Sequence, residues 1–254
     1  MPTIALVAGL LLAWEAYVRL AGVEPVVLPA PTRILGALWE YRDDAVRHAL
    51  PTLLETVAGF ALAVVLAIVA AVLMDRTPVV RRAVEPLLVT SQTIPIVALA
   101  PLFLLWFGFG LLPKVLIVVL VTFFPIVVSL LDGFRTAALD ATDLLRSYGA
   151  TDWQAFRKLR WPSALPAFFT GLRISVVYAV IGAVFGEYVG AREGLGIWMQ
   201  LSQNSFRTDL VFAAIVVTSA ISLVLYWGVG LLRRFVIPWA LGVRREPDLE
   251  SLPF

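Results

Sequence analysis

Residues 140–166 read DATDLLRSYGATDWQAFRKLRWPSALP, and this stretch carries the most specific pattern in the chain. Gly149 divides it into two short helical segments, because glycine is the preferred residue just after the last turn of a helix. Thr151 or Asp152 can then cap the second segment, since both side chains accept hydrogen bonds from the free N–H groups of a first helical turn. The stretch therefore predicts two short helices joined by a tight turn.

The second of these helices has an amphipathic sequence. Trp153, Phe156 and Leu159 recur at three-residue spacing and form an apolar stripe. Pro162 and Pro166 are expected to end the helix, because proline cannot donate a backbone hydrogen bond. A helix this short is marginal in water on its own. The stripe therefore predicts packing against either the rest of this chain or a partner protein.

The composition of the whole chain is that of a membrane protein. Of its 254 residues, 60% are hydrophobic and 15% are charged, and the mean hydropathy is +0.90, far above the range of soluble domains. Cysteine is absent and His48 is the only histidine, which excludes disulfides, thiolate catalysis and Cys- or His-rich metal sites. The 20 basic residues are scattered and the formal net charge is +2, so no nucleic-acid partner is expected.

Six apolar runs are long enough to cross a bilayer, which takes roughly 20 residues. They cover residues 4–22, 53–74, 87–107, 115–131, 171–190 and 210–232. The first run lacks a basic n-region and a clear cleavage site, so we expect a retained helix rather than a signal peptide. Within it, Glu15 and Arg19 have the i,i+4 spacing of an ion pair. The chain is predicted to be an all-α integral membrane protein.

The basic residues of the connecting loops predict the orientation, since positive loops tend to remain cytoplasmic. With both termini inside, the cytoplasmic side holds 13 of the 20 Lys and Arg residues, namely Arg76, Arg81, Arg82, Arg135, Arg146, Arg157, Lys158, Arg160, Arg173, Arg233, Arg234, Arg244 and Arg245. Six spans are consistent with this assignment, whereas five or seven would place the termini on opposite sides. We therefore predict cytoplasmic N- and C-termini.

The chain is expected to form one domain, residues 1–254, in three parts. Residues 1–52 hold the first helix and a long outside loop, whose amphipathic stretch from Ile34 to Tyr41 is suited to lying along the membrane surface. Residues 53–239 form a five-helix core. Within that core, residues 132–166 form the long inside loop that carries the pattern described above.

The inside loop resembles the cytoplasmic EAA loop of permease subunits of binding-protein-dependent ABC importers. That motif has Glu-Ala-Ala, three residues, Gly, nine residues and then Ile-x-Leu-Pro. The same spacing places Asp143 at the Glu, Leu144 and Leu145 at the Ala positions, Gly149 at the Gly, and Leu159, Trp161 and Pro162 at the closing Ile, Leu and Pro. The loop also precedes the penultimate span, as in that family.

The resemblance extends over most of the chain from Leu53 onward. The stretches TLLETVAGFALAVVLAI, QTIPIVALAPLFLLWFGFG, FFPIVVSLLDGF, LPAFFTGLRIS and FGEYVGAREGLG are similar to the subfamily that imports nitrate, sulfonates, taurine, thiamine pyrimidine precursors or riboflavin. GEYVGAREGLG resembles the pyrimidine-precursor and riboflavin branch more than the sulfonate branch. A sulfonate, taurine or nitrate importer permease is the alternative.

The resemblance implies a type I ABC importer permease fold in the bacterial plasma (inner) membrane. It also implies that ATP hydrolysis, solute delivery and translocation are carried out by different chains. Two cytoplasmic ATPases use ATP and Mg, while this chain binds no cofactor or metal and is not an enzyme. An extracytoplasmic solute-binding protein delivers the solute, and a second permease copy, identical or related, completes the path. The loop residues expected to form or support the ATPase joint are Asp143, Gly149, Ala150, Asp152, Trp153, Phe156, Leu159 and Pro162.

Candidate pathway residues lie in the third and fourth spans. The third span contains Gln92, Thr93 and Pro95, and interrupted membrane helices are tolerated mainly inside protein or beside an aqueous cavity. These residues therefore either line the path or simply kink the helix. These spans also contain three aromatic residues, Trp106, Phe123 and Phe124. Their side chains either contact a flat solute ring or face lipid.

Glu187 ends the fifth apolar run and precedes Tyr188 and a glycine-rich outer connection. An ionisable residue at membrane depth indicates a functional site, so Glu187 and Tyr188 are predicted to belong to a gate or to the path. The alternative is that Glu187 lies at the membrane interface or pairs with Arg192.

Three other classes of membrane protein are less consistent with this sequence. A membrane enzyme needs a catalytic set at membrane depth, a secondary transporter more often shows buried coupling charges or paired repeats, and a channel needs a filter motif. No such set is recognisable, so no catalytic residue is assigned and a secondary transporter is a distant alternative. A Walker-type Gly-Lys-Ser/Thr is also absent, so ATP hydrolysis is assigned to another chain.

Overall fold

A computed structural model describes residues 2–136 and 139–241, and all regular structure in these two ranges is helical. In chain order the helices are α1 (Pro2–Leu20), α2 (Pro31–Glu40), α3 (Arg42–Arg76), α4 (Pro78–Ser91), α5 (Ile96–Phe107), α6 (Leu111–Arg135), α7 (Leu139–Ser147), α8 (Asp152–Ala155), α9 (Trp161–Gly190), α10 (Leu195–Asn204) and α11 (Thr208–Val236). A π-helical turn, Phe156–Arg160, joins α8 to α9, and a 3₁₀ turn, Pro238–Leu241, follows α11. Arg244 and Arg245, assigned above to the cytoplasmic side, lie outside the described residues.

The predicted all-α membrane fold with about six spans is confirmed. Five continuous helical stretches are long and apolar enough to cross a bilayer, namely α1, α3, α6, α8 to α9, and α11. The third predicted span, residues 87–107, is not one helix, because α4 ends at Ser91 and α5 leaves it at an angle of 101°. Pro95 lacks the N–H that would continue α4 and disfavours helical backbone at Ile94.

The core of the bundle is formed by α3, α6 and α9. On α3, Ala63, Ala67 and Ala71 recur every four residues and are fully buried. Gly133 of α6 lies against Ala164, where a Cβ would collide with the α9 backbone. Because lipid gives helices no hydrophobic reason to associate, such small residues stabilise the bundle by letting the backbones approach closely.

The expectation that Pro162 and Pro166 end the loop helix is wrong. The helix runs from Asp152 to Gly190 without a break, because the π turn changes the hydrogen-bond pattern just before the first proline. The Trp161 N–H donates to the Phe156 carbonyl, five residues back, so the widened turn accommodates a residue that cannot donate. The loop is therefore continuous with a membrane helix.

The predicted amphipathic segment corresponds to α2, which packs against the bundle through one face. Ile34 and Ala37 are buried in a cluster that includes Trp198 of α10 and Leu210 of α11. Glu15 and Arg19 form the predicted ion pair at 2.6 Å, and the Glu15 carboxylate also accepts from the α2 backbone. Residues 42–52, assigned above to the outside loop, form the first turns of α3.

Candidate functional site

The turn between α7 and α8 has the geometry that its sequence predicts. Gly149 has a left-handed backbone with φ of 83°, and the Ala150 N–H donates to the Leu145 carbonyl at 3.0 Å. This bond closes the end of α7. Thr151 caps α8, since its hydroxyl accepts from the Gln154 N–H while the Gln154 side chain accepts from the Thr151 N–H.

Arg146 is a loop residue that sequence reasoning missed. Its guanidinium lies 3.5 Å from the Asp143 carboxylate and 2.9 Å from that of Asp152. Asp143 precedes the Gly149 turn and Asp152 follows it, so Arg146 joins the two aspartates across the turn. The i,i+3 spacing of Asp143 and Arg146 was the available signal.

The apolar stripe of the loop faces two environments. Phe156 is 8% exposed and its ring lies 5.6 Å from that of Phe134 in the bundle core. Trp153 is 56% exposed and stacks on Phe156 at 5.8 Å. The Arg76 guanidinium, at the end of α3, lies 4.9 Å from the Trp153 ring, in the geometry of a cation–π contact. Phe156 therefore anchors the loop and Trp153 remains available to a partner.

Three apolar side chains of the loop are exposed together. Trp153 is joined by Leu144 of α7 and by Tyr148, the residue just after α7, which are 56% and 82% exposed. We call these three residues the docking face. Exposed apolar groups on a polar loop mark an interaction surface. Leu159 and Pro162, by contrast, are half-buried and line a cavity of about 400 Å³ with Trp239, on the other side of the loop helix.

An ion pair ties the loop to α3. Arg160 donates to the Asp75 carboxylate at 2.5 Å, and the Asp75 side chain is only 3% exposed. The same two residues line a cavity of about 400 Å³ with Arg76 and Trp153. The pair therefore links the loop helix to the end of α3.

Arg160→Met is expected to destabilise the folded permease by about 3 kcal/mol, because it leaves the buried Asp75 carboxylate without its counter-ion. The double variant Asp75→Asn/Arg160→Met should recover part of that loss, since it removes the buried charge. Melting temperatures of the purified proteins in detergent measure both effects. Equal melting temperatures for wild type and Arg160→Met would contradict a structural role for this pair.

A cavity of about 520 Å³ lies beside the break between α4 and α5. Gln92 and Pro95 line it, together with Phe124 of α6 and Tyr178 of α9. Non-helical backbone at membrane depth is tolerated where it lines a water-filled cavity, and broken helices mark solute sites in transporters. Tyr178 lies about half-exposed in the cavity wall and was not identified from the sequence.

The other predicted pathway residues do not line this cavity. Thr93 is exposed beside it, and Phe123 packs against the core between α3, α6 and α9. Tyr188 packs against the cluster that holds α2, α10 and α11, with its hydroxyl 3.8 Å from the Met199 sulfur. Phe124, the residue after Phe123, lines the cavity instead of Phe123.

Glu187 is fully buried, and its carboxylate contacts Thr52 and Gly196 rather than Arg192, so the alternative of a pair with Arg192 is wrong. Its carboxylate accepts from the Thr52 hydroxyl at 2.5 Å and from the Gly196 N–H at 2.6 Å. Thr52 in turn accepts from the Leu195 N–H at 2.9 Å. The acidic residue that does pair in this connection is Glu193, whose partner is Arg47.

These contacts cap the N-terminus of α10 with side chains from α3 and α9. The donors of residues 194, 195 and 196 bond to His48, Thr52 and Glu187, which satisfies groups that a helix leaves free. Glycine is required at 194 and 196, where a Cβ would collide with the Glu187 side chain. The glycine-rich connection is therefore held in place by this cap.

A buried ion pair was not predicted from the sequence. Lys114 of α6 and Glu55 of α3 form an ion pair at 2.5 Å, and both side chains are almost fully buried. They line a cavity of about 820 Å³ with Arg192 and Glu193. The sequence signal was a glutamate inside the second predicted span. No buried charges were recognised in the sequence, and such charges were taken as more typical of a secondary transporter. Because this chain contains such a pair, buried charges do not separate the two classes.

Comparison with known proteins identifies relatives over almost the whole chain. The formylaminopyrimidine transport permease protein ThiX of Halalkalibacterium halodurans is 41% identical over 231 residues, covering 91% of this chain and 92% of that protein. The riboflavin transport system permease protein RibX of Chloroflexus aurantiacus is 37% identical over 232 residues, covering 91% and 87%.

A solved structure and a family description agree with these relatives. A chain of the MetNI methionine ABC transporter, in an inward facing conformation, has a TM-score of 0.68 at 19% identity, covering 77% of this chain and 97% of that one. This likeness concerns the fold. The family described as binding-protein-dependent transport system inner membrane component matches residues 63–238. This chain therefore belongs to that family and is a permease subunit of an ABC importer of the bacterial inner membrane.

Proposed function

We propose that this chain forms half of the translocation path for a small flat heterocycle, either a thiamine pyrimidine precursor or a riboflavin-like compound. The observation that carries the proposal is the 41% identity to a formylaminopyrimidine permease along 91% of the chain. The name of the riboflavin permease relative points to the same class of solute. Sulfonates, taurine and nitrate are the alternative solutes.

The coupling of transport to ATP is assigned to the docking face. In this proposal Leu144, Tyr148 and Trp153 contact a cytoplasmic ATPase, and Phe156 and the Asp75–Arg160 pair carry its movement into the bundle. Two ATPases bind and hydrolyse ATP with Mg, while this chain holds no cofactor and catalyses no reaction. The loop end of the bundle, with both termini, then faces the cytoplasm.

Two further partners are proposed, because one chain alone does not enclose a translocation path. The cavity beside the α4–α5 break is open at the surface of one chain, so a second permease copy is needed to enclose it. An identical copy is the simpler arrangement, and a related permease is the alternative. An extracytoplasmic solute-binding protein delivers the solute to the opposite end, where the capped connection between α9 and α10 lies.

The cavity beside the break has the groups that a flat polar ring requires. Phe124 and Tyr178 supply aromatic faces for stacking, and the Gln92 side-chain amide supplies one donor group and one acceptor. An apolar wall with a few polar groups is typical of small-molecule sites. We propose that the heterocycle passes between these three side chains.

Phe124→Ala and Tyr178→Ala are each expected to lower the uptake rate about fivefold, since one aromatic stacking contact contributes about 1 kcal/mol. Trp106→Ala is the matched control, because Trp106 is exposed and does not line the cavity. Initial rates of radiolabelled solute uptake in cells, corrected for permease abundance, measure the effect. Equal rates in all four proteins would contradict the pathway assignment.

The solute class is tested through the partner binding protein. Thermal-shift screening of that protein against pyrimidines, flavins, sulfonates and nitrate should give the largest stabilisation with a pyrimidine or a flavin, because a ligand stabilises only the folded state that binds it. Stabilisation by a sulfonate or nitrate alone would overturn the heterocycle assignment. Uptake that is insensitive to vanadate would overturn ATP coupling, independently of the solute.

A further inference from the structure

A basic notch between α9 and α11 has no role in the transport mechanism described above. It is a cavity of about 300 Å³ lined by Arg173, Trp227, Gly228, Gly230, Leu231 and Arg234. We refer to it as the α9–α11 notch. It lies towards the loop end of the bundle, since Arg173 is in the first half of α9 and Arg234 is in the last turn of α11.

Neighbouring residues fix the position of the Arg173 side chain in the notch. Its side chain crosses Gly230, where a Cβ would collide with the guanidinium, and its guanidinium carbon lies 4.9 Å from the Tyr226 ring centroid. Gly230 and Tyr226 therefore hold the guanidinium between two helices. A freely moving surface arginine would require neither the glycine nor the aromatic contact.

The positive charge of the notch is not neutralised by the described part of the chain. Within residues 2–136 and 139–241, Arg173 and Arg234 form no ion pair with a carboxylate. The Nε of Arg173 is buried and has no hydrogen-bond partner among these residues. Two guanidinium groups without a carboxylate partner in these two ranges favour an anionic ligand, and their planar donors match the oxygens of a phosphate group.

The surroundings of the notch indicate that the anion is part of a lipid. Trp227 is 66% exposed at its edge, and Leu231 is also exposed. An exposed tryptophan beside arginines is typical of the membrane interface. Basic pockets between membrane helices on the cytoplasmic side bind anionic headgroups. The apolar rim then contacts the acyl chain, which a free phosphate ion lacks.

We propose that the α9–α11 notch binds the phosphate of an anionic phospholipid, with Arg173 and Arg234 contacting the headgroup and Trp227 the glycerol and acyl region. The lipid neutralises the half-buried Arg173 and joins α9, which continues from the coupling loop, to α11. This site is independent of the transported solute.

Native mass spectrometry of the purified importer complex, titrated with phosphatidylglycerol or phosphatidylcholine, tests the proposal. Wild type should bind phosphatidylglycerol in preference, and Arg234→Gln should weaken that binding about fivefold, the effect of one basic residue near an anionic membrane surface. Arg173→Gln/Arg234→Gln should weaken it further. Arg234→Gln retains the packed Arg173, so it keeps the test valid if the double variant does not fold.

Arg82→Gln is the matched control, because Arg82 is an exposed basic residue at the loop end of α4 and does not line the notch. It should bind phosphatidylglycerol like wild type. Equal binding of the two lipids by wild type, or equal weakening in Arg82→Gln and Arg234→Gln, would overturn the proposal. Displacement of bound phosphatidylglycerol by millimolar inorganic phosphate would assign the notch to a soluble anion and would overturn the lipid assignment.

Discussion

The double substitution Tyr148→Glu/Trp153→Glu is expected to release the ATPase subunits from the permease and to abolish uptake. Both side chains are exposed on the docking face, so the substitutions add charge where an apolar partner surface is proposed. Loss of one central aromatic contact costs about 2 kcal/mol or more, and the two together should weaken ATPase binding at least about hundredfold. Co-purification of the ATPase and uptake in cells measure this loss.

Two further variants control for misfolding. Lys158→Glu reverses the charge of an exposed residue on the same loop helix, outside the docking face, and should retain bound ATPase. Phe156→Asp would not separate docking from folding, because Phe156 is buried against Phe134. The double variant itself should melt within a few degrees of wild type. Normal ATPase binding by the double variant would contradict the assignment of the docking face.

Glu187→Leu is expected to destabilise the permease by about 3 kcal/mol and to release the connection between α9 and α10. The substitution removes the acceptor of the Gly196 N–H and one acceptor of the Thr52 hydroxyl, which keeps the His48 carbonyl. A buried polar group left without a partner costs about 1–3 kcal/mol. Glu187→Gln keeps one acceptor oxygen and should have a smaller effect. Melting temperature in detergent and limited proteolysis within residues 191–194 measure the two consequences.

Glu193→Gln is the control for this prediction. Glu193 lies in the same connection but is partly exposed and contacts Arg47, so its replacement should change stability little. If Glu187→Leu retained the wild-type melting temperature while uptake fell, Glu187 would act in a gate rather than as the cap of α10.

The sequence predicted those parts of the fold that depend on local patterns. Apolar runs predicted the membrane spans. Gly149 and Thr151 predicted the turn of the loop, because backbone conformation and helix capping depend on a few neighbouring residues. An interruption or kink at Gln92–Pro95 was predicted, but its angle of 101° and the continuous helix through Pro162 were not. Both depend on how the bundle satisfies backbone groups that a proline leaves free.

The candidate site was predictable only in part for the same reason. Three-residue spacing identified Trp153 and Phe156 but could not indicate that one is exposed and the other buried. The partners of Glu187 lie on α3 and α10, and Thr52 is 135 residues away in sequence. Tyr178 reaches the cavity only because α9 packs beside the broken span. Such contacts arise from tertiary packing, which residue patterns do not encode locally.

ATP-dependent uptake by proteoliposomes that contain the permease, its ATPase and the solute-bound binding protein tests the central claim most directly. Wild-type vesicles should accumulate a pyrimidine precursor or a flavin only with ATP and Mg, and Tyr148→Glu/Trp153→Glu vesicles should accumulate none. Uptake that proceeds without ATP, or that is unchanged by the double substitution, would contradict the account.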